Sequence, residues 1–151
     1  MGREALLAWR RAFGGTVVFT NGVFDLLHPG HVEFLEAART LGDALVVGVN
    51  DDDSARRLGK GPGRPVNDIA ARMRVLAGLT AVDHVTAFEE ATPLALIMAV
   101  RPEVLVKGGD YTRATMVGAD FVESTGGSVF AIDLVPGQST TAIVERLRAT
   151  S

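Results

Sequence analysis

Apolar residues along this chain fall into short unbroken runs, separated by longer stretches with helical spacing. Thr16–Thr20, Asp43–Asn50, Val82–Phe88, Glu103–Lys107 and Ser128–Leu134 are rich in β-branched and aromatic residues, which predicts five strands. Glu4–Phe13 has an amphipathic pattern stopped by Gly14-Gly15, which predicts a first helix. Pro29 suits the first turn of a helix continuing through VEFLEAARTLG. Asp51–Leu58 reads as helical, and Asn67 is the expected cap of IAARMRVLAGL. Thr92 is expected to cap PLALIMAV, with Pro93 at the first helical position. Thr112–Gly126 is weakly helical, and Ser139-Thr140-Thr141 opens a last helix, AIVERLRAT.

After the first helix, strand and helix alternate without an internal repeat or linker. Strands that are apolar throughout need cover on both faces, which implies a parallel five-stranded sheet in an α/β domain with helices on both sides. The expected organisation is one domain over 1–151, with the N-terminal helix in 1–15 and the core in 16–150. Ligands of such sheets bind beyond the carboxyl ends of the strands. That directs attention to Thr20–His31, Asn50–Asp53, Lys107–Tyr111 and Pro136–Thr141, which are also the most unusual segments of the sequence.

Composition narrows the chemistry. The 151 residues carry a net charge of −3, with no basic surplus of the kind a general nucleic-acid binder shows, so no nucleic-acid partner is expected. There are no cysteines, which removes disulfides, thiolate metal sites and thiol nucleophiles. The N-terminal MGREALLAWRRAFGG is too short and charged for a signal peptide or membrane helix, so the expectation is a cytoplasmic protein with no membrane partner.

The segment TVVFTNGVFDLLHPGHVE raises the sharpest question. Gly22 lets backbone approach a ligand, and His28 and His31 flank a helix start, where free N–H groups and the positive end of the dipole gather. Two imidazoles there make an anion site. Zinc fits less well, because His84 is the only other histidine and lies in or beside a distant strand. Elsewhere the residues leave alternatives open. Ser139, Thr140 and Thr141 suit phosphate at a helix start but equally suit a plain cap. Arg56, Arg57, Lys60 and Arg64 form a basic, glycine-rich loop that either closes over phosphates or is simply solvated. Asp51, Asp52 and Asp53 read as helix-start charge.

TNGVFDLLHPGH resembles the GxFDxxHxGH signature of the nucleotidyltransferase superfamily. With VVGVNDDDSARRL, GRPVN, VLVKGGDY and GQSTTAIV, in that order, the chain from Thr16 to Arg148 is similar in particular to the D-glycero-β-D-manno-heptose 1-phosphate adenylyltransferases of ADP-heptose biosynthesis. The resemblance implies a Rossmann-like fold and transfer of AMP from ATP to heptose 1-phosphate, with Mg²⁺, giving ADP-heptose and pyrophosphate. It implies that His28 and His31 hold the triphosphate and stabilise the transition state, with Lys60 and Arg72 as further catalytic groups. Arg72 would otherwise pass as an exposed helix arginine. The implied nucleotide site comprises Thr20, Asn21, Gly22, Val23, Phe24, His28, Gly30, His31, Lys107, Gly108, Gly109, Asp110, Gly137, Ser139, Thr140 and Thr141.

Substrate contacts are expected from Asp25, Asn50, Asp51, Arg56 and Arg64. Asp25 either orients His28 or sits near the metal. Asp110 is the candidate magnesium ligand, with a turn residue as its ordinary reading. The sequence departs from the pattern at Val23, where many heptose enzymes carry cysteine, and in the extra residue of GKGPGRPV. Related glycerol-phosphate cytidylyltransferases have RTEGIST where this chain has LVPGQST, so Leu134 replaces an arginine. In the heptose family the transferase is often fused to a sugar kinase. No kinase half lies in these residues, so separate proteins are expected to supply the phosphorylated heptose. A homodimer is a further expectation of the resemblance. The rivals are a cytidylyl- or guanylyltransferase for a related sugar or polyol phosphate, a non-catalytic nucleotide-binding module, and a purely structural subunit.

Overall fold

A computed structural model describes residues 1–59, 61–109 and 111–132, without the side chain of Arg113. Six α-helices and five strands appear among them. The helices are α1 (Arg3–Ala12), α2 (Pro29–Arg39), α3 (Asp52–Arg57), α4 (Ile69–Ala77), α5 (Leu94–Val100) and α6 (Ala119–Ser124). The strands are β1 (Val17–Gly22), β2 (Ala44–Asn50), β3 (His84–Phe88), β4 (Val104–Gly108) and β5 (Ser128–Ile132). The segment expected to be weakly helical resolves into a short 3₁₀ turn, Arg113–Thr115, followed by α6.

All pairings are parallel, in the order β3-β2-β1-β4-β5. Successive side chains alternate between faces, and two apolar cores result. Val18, Leu45, Val47, Val85, Val104 and Val106 pack with Phe34 and Leu35 of α2 and Leu76 of α4. Val17, Phe19, Val46, Phe88 and Leu105 pack with Leu6 of α1, Leu96 and Ile97 of α5 and Val122 of α6. The continuous apolar strands are thus explained by cover on both faces.

The pairing of β1 is unequal. Its ladder with β2 runs from Val17↔Ala44 to Gly22↔Val49. Its ladder with β4 has only Val18↔Val104 and Phe19↔Leu105. Beyond Phe19, therefore, the β1–β4 seam has no ladder, although β4 continues with β5 to Gly108↔Ile132. Two features mark the gap. The Thr20 hydroxyl is fully buried without a hydrogen-bond partner. Lys107 Nζ reaches across to donate to the Asn21 carbonyl at 3.2 Å. The chain crosses to opposite sides of β1 at this point, which makes the seam the topological switch of the sheet.

Two expected caps need correction. Asp68, not Asn67, caps α4: its carboxylate accepts from the Ala71 amide at 2.8 Å. Asn67 is instead drawn away to donate from Nδ2 to the Asp25 carbonyl at 3.0 Å. Helix α5 begins at Leu94, so Pro93 holds the cap position, and Thr92 Oγ1 lies 3.5 Å from the Leu94 amide, the limit of a hydrogen bond. The expected last helix, 142–150, lies outside the described residues.

Asp68 is exposed, so its cap bond is separable from the core. Asp68→Ala is expected to lower unfolding stability by about 1 kcal/mol in urea titration. An unchanged midpoint would return the cap to another residue.

Candidate active site

The turn from β1 to α2 builds the centre of the site. His28 is the N-cap of α2, with Pro29 at the first helical position. Its Nδ1 accepts from the Gly30 amide at 3.1 Å, while His31 Nδ1 accepts from the His28 amide at 3.2 Å. This is a capping box made by two imidazoles instead of a hydroxyl and a carboxylate. The amides of His31 and Val32 bond to the His28 carbonyl at 2.9 and 3.3 Å. The expectation of free backbone donors at this helix start is therefore corrected: Pro29 has no N–H, and the next three amides are satisfied.

The rings take over the role of donors. A backbone N–H can only donate, so each Nδ1 must be an unprotonated acceptor, and each neutral ring carries its proton on Nε2. The rings lie 3.9 Å apart at 33° between planes. Burial of His28 lowers its pKa from the ordinary 6.5, so the ring is neutral at physiological pH.

Phe24 fixes the approach to this cap. It adopts φ 49°, an uncommon left-handed conformation for an aromatic residue, and is 8% exposed. Its ring centroid is 5.7 Å from that of His31. A Cβ at Gly22 would come within 3.0 Å of the same ring. Gly22 thus makes room for Phe24.

Asp25 does not pair with His28. Its carboxylate accepts from Arg64 Nε at 3.0 Å and from the Val66 and Asn67 amides at 2.7 and 2.8 Å. Both side chains of this ion pair are buried, at 5% and 1% exposure, and the three donors offset the cost of burying the carboxylate. The pair clamps the basic loop to the β1–α2 turn. The structure therefore separates the loop cations. Arg64 lines the cleft, whereas Arg56 is exposed and paired with Asp53, and Arg57 is exposed.

Arg72 also departs from expectation. It is 1% exposed, and its guanidinium bonds to protein acceptors. Asn50 is buried and donates to Ser54 Oγ at 3.0 Å, and Asp51 caps α3 by accepting from the Ser54 amide at 2.8 Å. Gly109, at φ 96°, donates its amide to the Ile132 carbonyl, extending the β4–β5 pairing. Lys60, Asp110, Gly137, Ser139, Thr140 and Thr141 lie outside the described residues.

Two adjoining cavities open at the carboxyl ends of β1 and β4. The smaller, about 210 Å³, is lined by Phe24, Asp25, His31 and Arg64. The larger, about 390 Å³, is lined by Asn50, Leu58, Thr92, Pro93 and Thr115. Asn21, Gly22, Val23, Lys107 and Tyr111 line both. Tyr111 ends the segment Lys107–Tyr111 singled out in the sequence, though it was not itself named as a site residue. Its ring centroid lies 5.0 Å from Lys107 Nζ, a cation–π distance. Lys107 thus sits on the wall common to both cavities.

Residues 19–148 match the model of the cytidylyltransferase-like family. The chain belongs to that family. Among cytidylyltransferase-like relatives, it is 58% identical over 145 residues to the Bifunctional protein HldE of Syntrophotalea carbinolica, and 59% identical over 138 residues to that of Pseudomonas entomophila. These matches take in 96% and 91% of this chain but 29% of each relative, so the chain spans under a third of their length. A solved structure of the lipopolysaccharide core biosynthesis protein from Thermoplasma volcanium is 29% identical, with TM-score 0.67, over 81% of this chain and 98% of that one. A pantoate–β-alanine ligase from Francisella tularensis, 13% identical with TM-score 0.61 over 97% of this chain and 77% of that one, shares the fold. Among the described residues no helix is long and apolar enough to cross a membrane, and no group of three or more metal-binding side chains occurs.

The histidine cap sets a sign for pH dependence. Because folding lowers the His28 pKa, the unfolded chain protonates first as pH falls. The contribution of this group to stability is complete above pH 6.5 and is lost as pH drops through that value towards the folded midpoint. Nitrogen-15 NMR of His28 is expected to show the Nε2–H tautomer at pH 7 and a midpoint below 6.5. A midpoint above 6.5, or an Nδ1–H tautomer, would contradict the cap.

Proposed function

We propose that this protein transfers AMP from ATP to D-glycero-β-D-manno-heptose 1-phosphate, releasing pyrophosphate. The observation that carries the proposal is the reciprocal His28–His31 cap, with His31 on the wall of a cleft that also holds Arg64 and Lys107. Such a cleft suits a polyanion, and the overall charge of −3 means that attraction must be local. The heptose acceptor is supported by the resemblance of the chain from Thr16 to Arg148 to heptose 1-phosphate adenylyltransferases and by the high identity to the HldE proteins.

A phosphate oxygen of the sugar attacks the α-phosphorus of ATP. The new O–P bond forms as the bond from the α-phosphorus to the bridging oxygen breaks, and the electron pair leaves with pyrophosphate. No protein nucleophile is needed, so rate comes from positioning and charge stabilisation. In this reading the imidazole Nε2–H groups donate to phosphate oxygens, while Lys107 and Arg64 supply positive charge. The two cavities suit two substrates, with the smaller, His31-lined one for the triphosphate and the larger one for the acceptor. Asn21, Gly22 and Val23, which line both cavities, form the wall along which the two would meet.

Mg²⁺ fits as part of the ATP substrate. Asp25, Asp51 and Asp52 are each committed to a protein donor, and Mg²⁺ commonly rests on phosphate oxygens and water with one or two carboxylates. When bound, it would neutralise charge on the phosphates; Asp110 is the carboxylate proposed to help hold it.

The test is product analysis with heptose 1-phosphate and each of ATP, CTP, GTP and UTP. ADP-heptose with stoichiometric pyrophosphate is expected from ATP, and turnover with CTP alone would overturn the adenylyl assignment. His28→Ala is expected to lower kcat by about 10²–10³, the usual loss for one preorganised donor. An unchanged rate in a folded variant would remove His28 from the mechanism.

A further inference from the structure

Arg72 is the largest fully buried side chain among the described residues, at 1% exposure. It projects from the second turn of α4 and uses four of its five N–H groups on protein acceptors. Nε donates to the Asn67 carbonyl at 3.0 Å and Nη2 to Asp52 Oδ1 at 2.7 Å. Nη1 donates to two carbonyls together, Val23 at 2.8 Å and Asn50 at 2.7 Å. A buried guanidinium is tolerated only with such a set of partners.

The two carbonyls share a place in the sheet. The β1–β2 ladder ends at Gly22↔Val49, so Val23 and Asn50 are the next pair, the first without a ladder bond. Arg72 Nη1 joins the strands where their own hydrogen bonding stops. Val23 lines both cavities, and Asn50 lines the larger. The remaining bonds tie in α3 through Asp52 and, through Asn67, the loop that Asp25 clamps beside the histidine cap.

We propose that Arg72 is a positioning residue that sets the cleft by stapling Val23 to Asn50, and that it acts without contacting phosphate. This departs from the phosphate contact that family resemblance implies. The guanidinium side chain has no exposed surface from which to meet a ligand. The proposal rests on the cleft's being a nucleotide site, so its test includes a readout that does not.

Arg72→Lys keeps the charge but cannot span two carbonyls and a carboxylate. Asp52→Asn weakens the brace from a partly exposed position and guards against a misfolded Arg72 variant. In the ligand-free proteins, the carbonyl carbon-13 shifts of Val23 and Asn50 are expected to move in both variants. Calorimetry is expected to show adenosine, AMP and ATP each weakened by the same factor, about tenfold in Arg72→Lys, the equivalent of one buried hydrogen bond. The double variant is expected to be no worse than Arg72→Lys alone. A loss that grows from adenosine to ATP, or additive losses in the double variant, would make Arg72 a phosphate ligand and overturn the proposal. Unchanged carbonyl shifts would do the same. A wild-type protein that bound no adenine nucleotide would instead remove the transferase reading, while the carbonyl shifts still decided the staple.

Discussion

The unequal pairing of β1 is the constraint from which the rest of the site follows. A central parallel strand ordinarily satisfies its backbone on both sides. Here β1 does so against β2 as far as Gly22, but against β4 only through Phe19. The two strands of the switch point cease to pair while still inside the sheet. This leaves Asn21, Gly22 and Val23 on the wall of a cleft and brings Lys107 onto the Asn21 carbonyl. Parallel strands carry their loops at the same end, so the turns after β1, β2 and β4 all converge on that opening.

Apart from the orphaned Thr20 hydroxyl, polar groups around the opening are met by side chains with a second use. The exposed end of the β1–β2 ladder is bonded by Arg72, whose position also places α3. The buried carboxylate of Asp25 is met by Arg64 and two amides, and this fixes the loop carrying Arg64. The first turn of α2 is capped by two imidazoles, of which that of His31 lines the cleft. Positioning by such bonds before ligand arrives is what the proposed displacement without a covalent intermediate requires.

The order of strands and helices was legible because the strands are apolar on both faces and the helices are not. Parallel pairing and two-sided cover follow from that pattern alone. The sequence pointed to the HxGH pair as an anion site, which stands as a proposal, but it did not show how the two rings are held. Only the geometry reveals that Nδ1 of each ring is consumed by a backbone amide. Two of the failures share a cause. Asn67 and Asp68 are both good caps, and local sequence cannot say that Asp25 claims the first. Arg72 looks like any surface arginine of an amphipathic helix until α3 and two strand ends close over it. Tyr111 closed a segment marked for attention, but its stacking on Lys107 across the turn was not legible. For Asn67 and Arg72 a contact distant in sequence overrode a local preference.

The chemical character of the histidine pair follows from the same accounting. A cationic imidazolium would attract a triphosphate more strongly than a neutral ring. Protonating either ring, however, places a proton on Nδ1 and destroys a bond that caps α2. Burial opposes the charged form of His28 as well. In the proposed reading the histidines therefore act as neutral donors at the helix start, and the positive charge falls to Lys107 and Arg64. On that proposal, neutral donors fixed in this way would stabilise the extra charge of a pentavalent phosphorus without first releasing a proton. They also favour the ground-state triphosphate less than a fixed cation would, and only the difference between those two states accelerates a reaction.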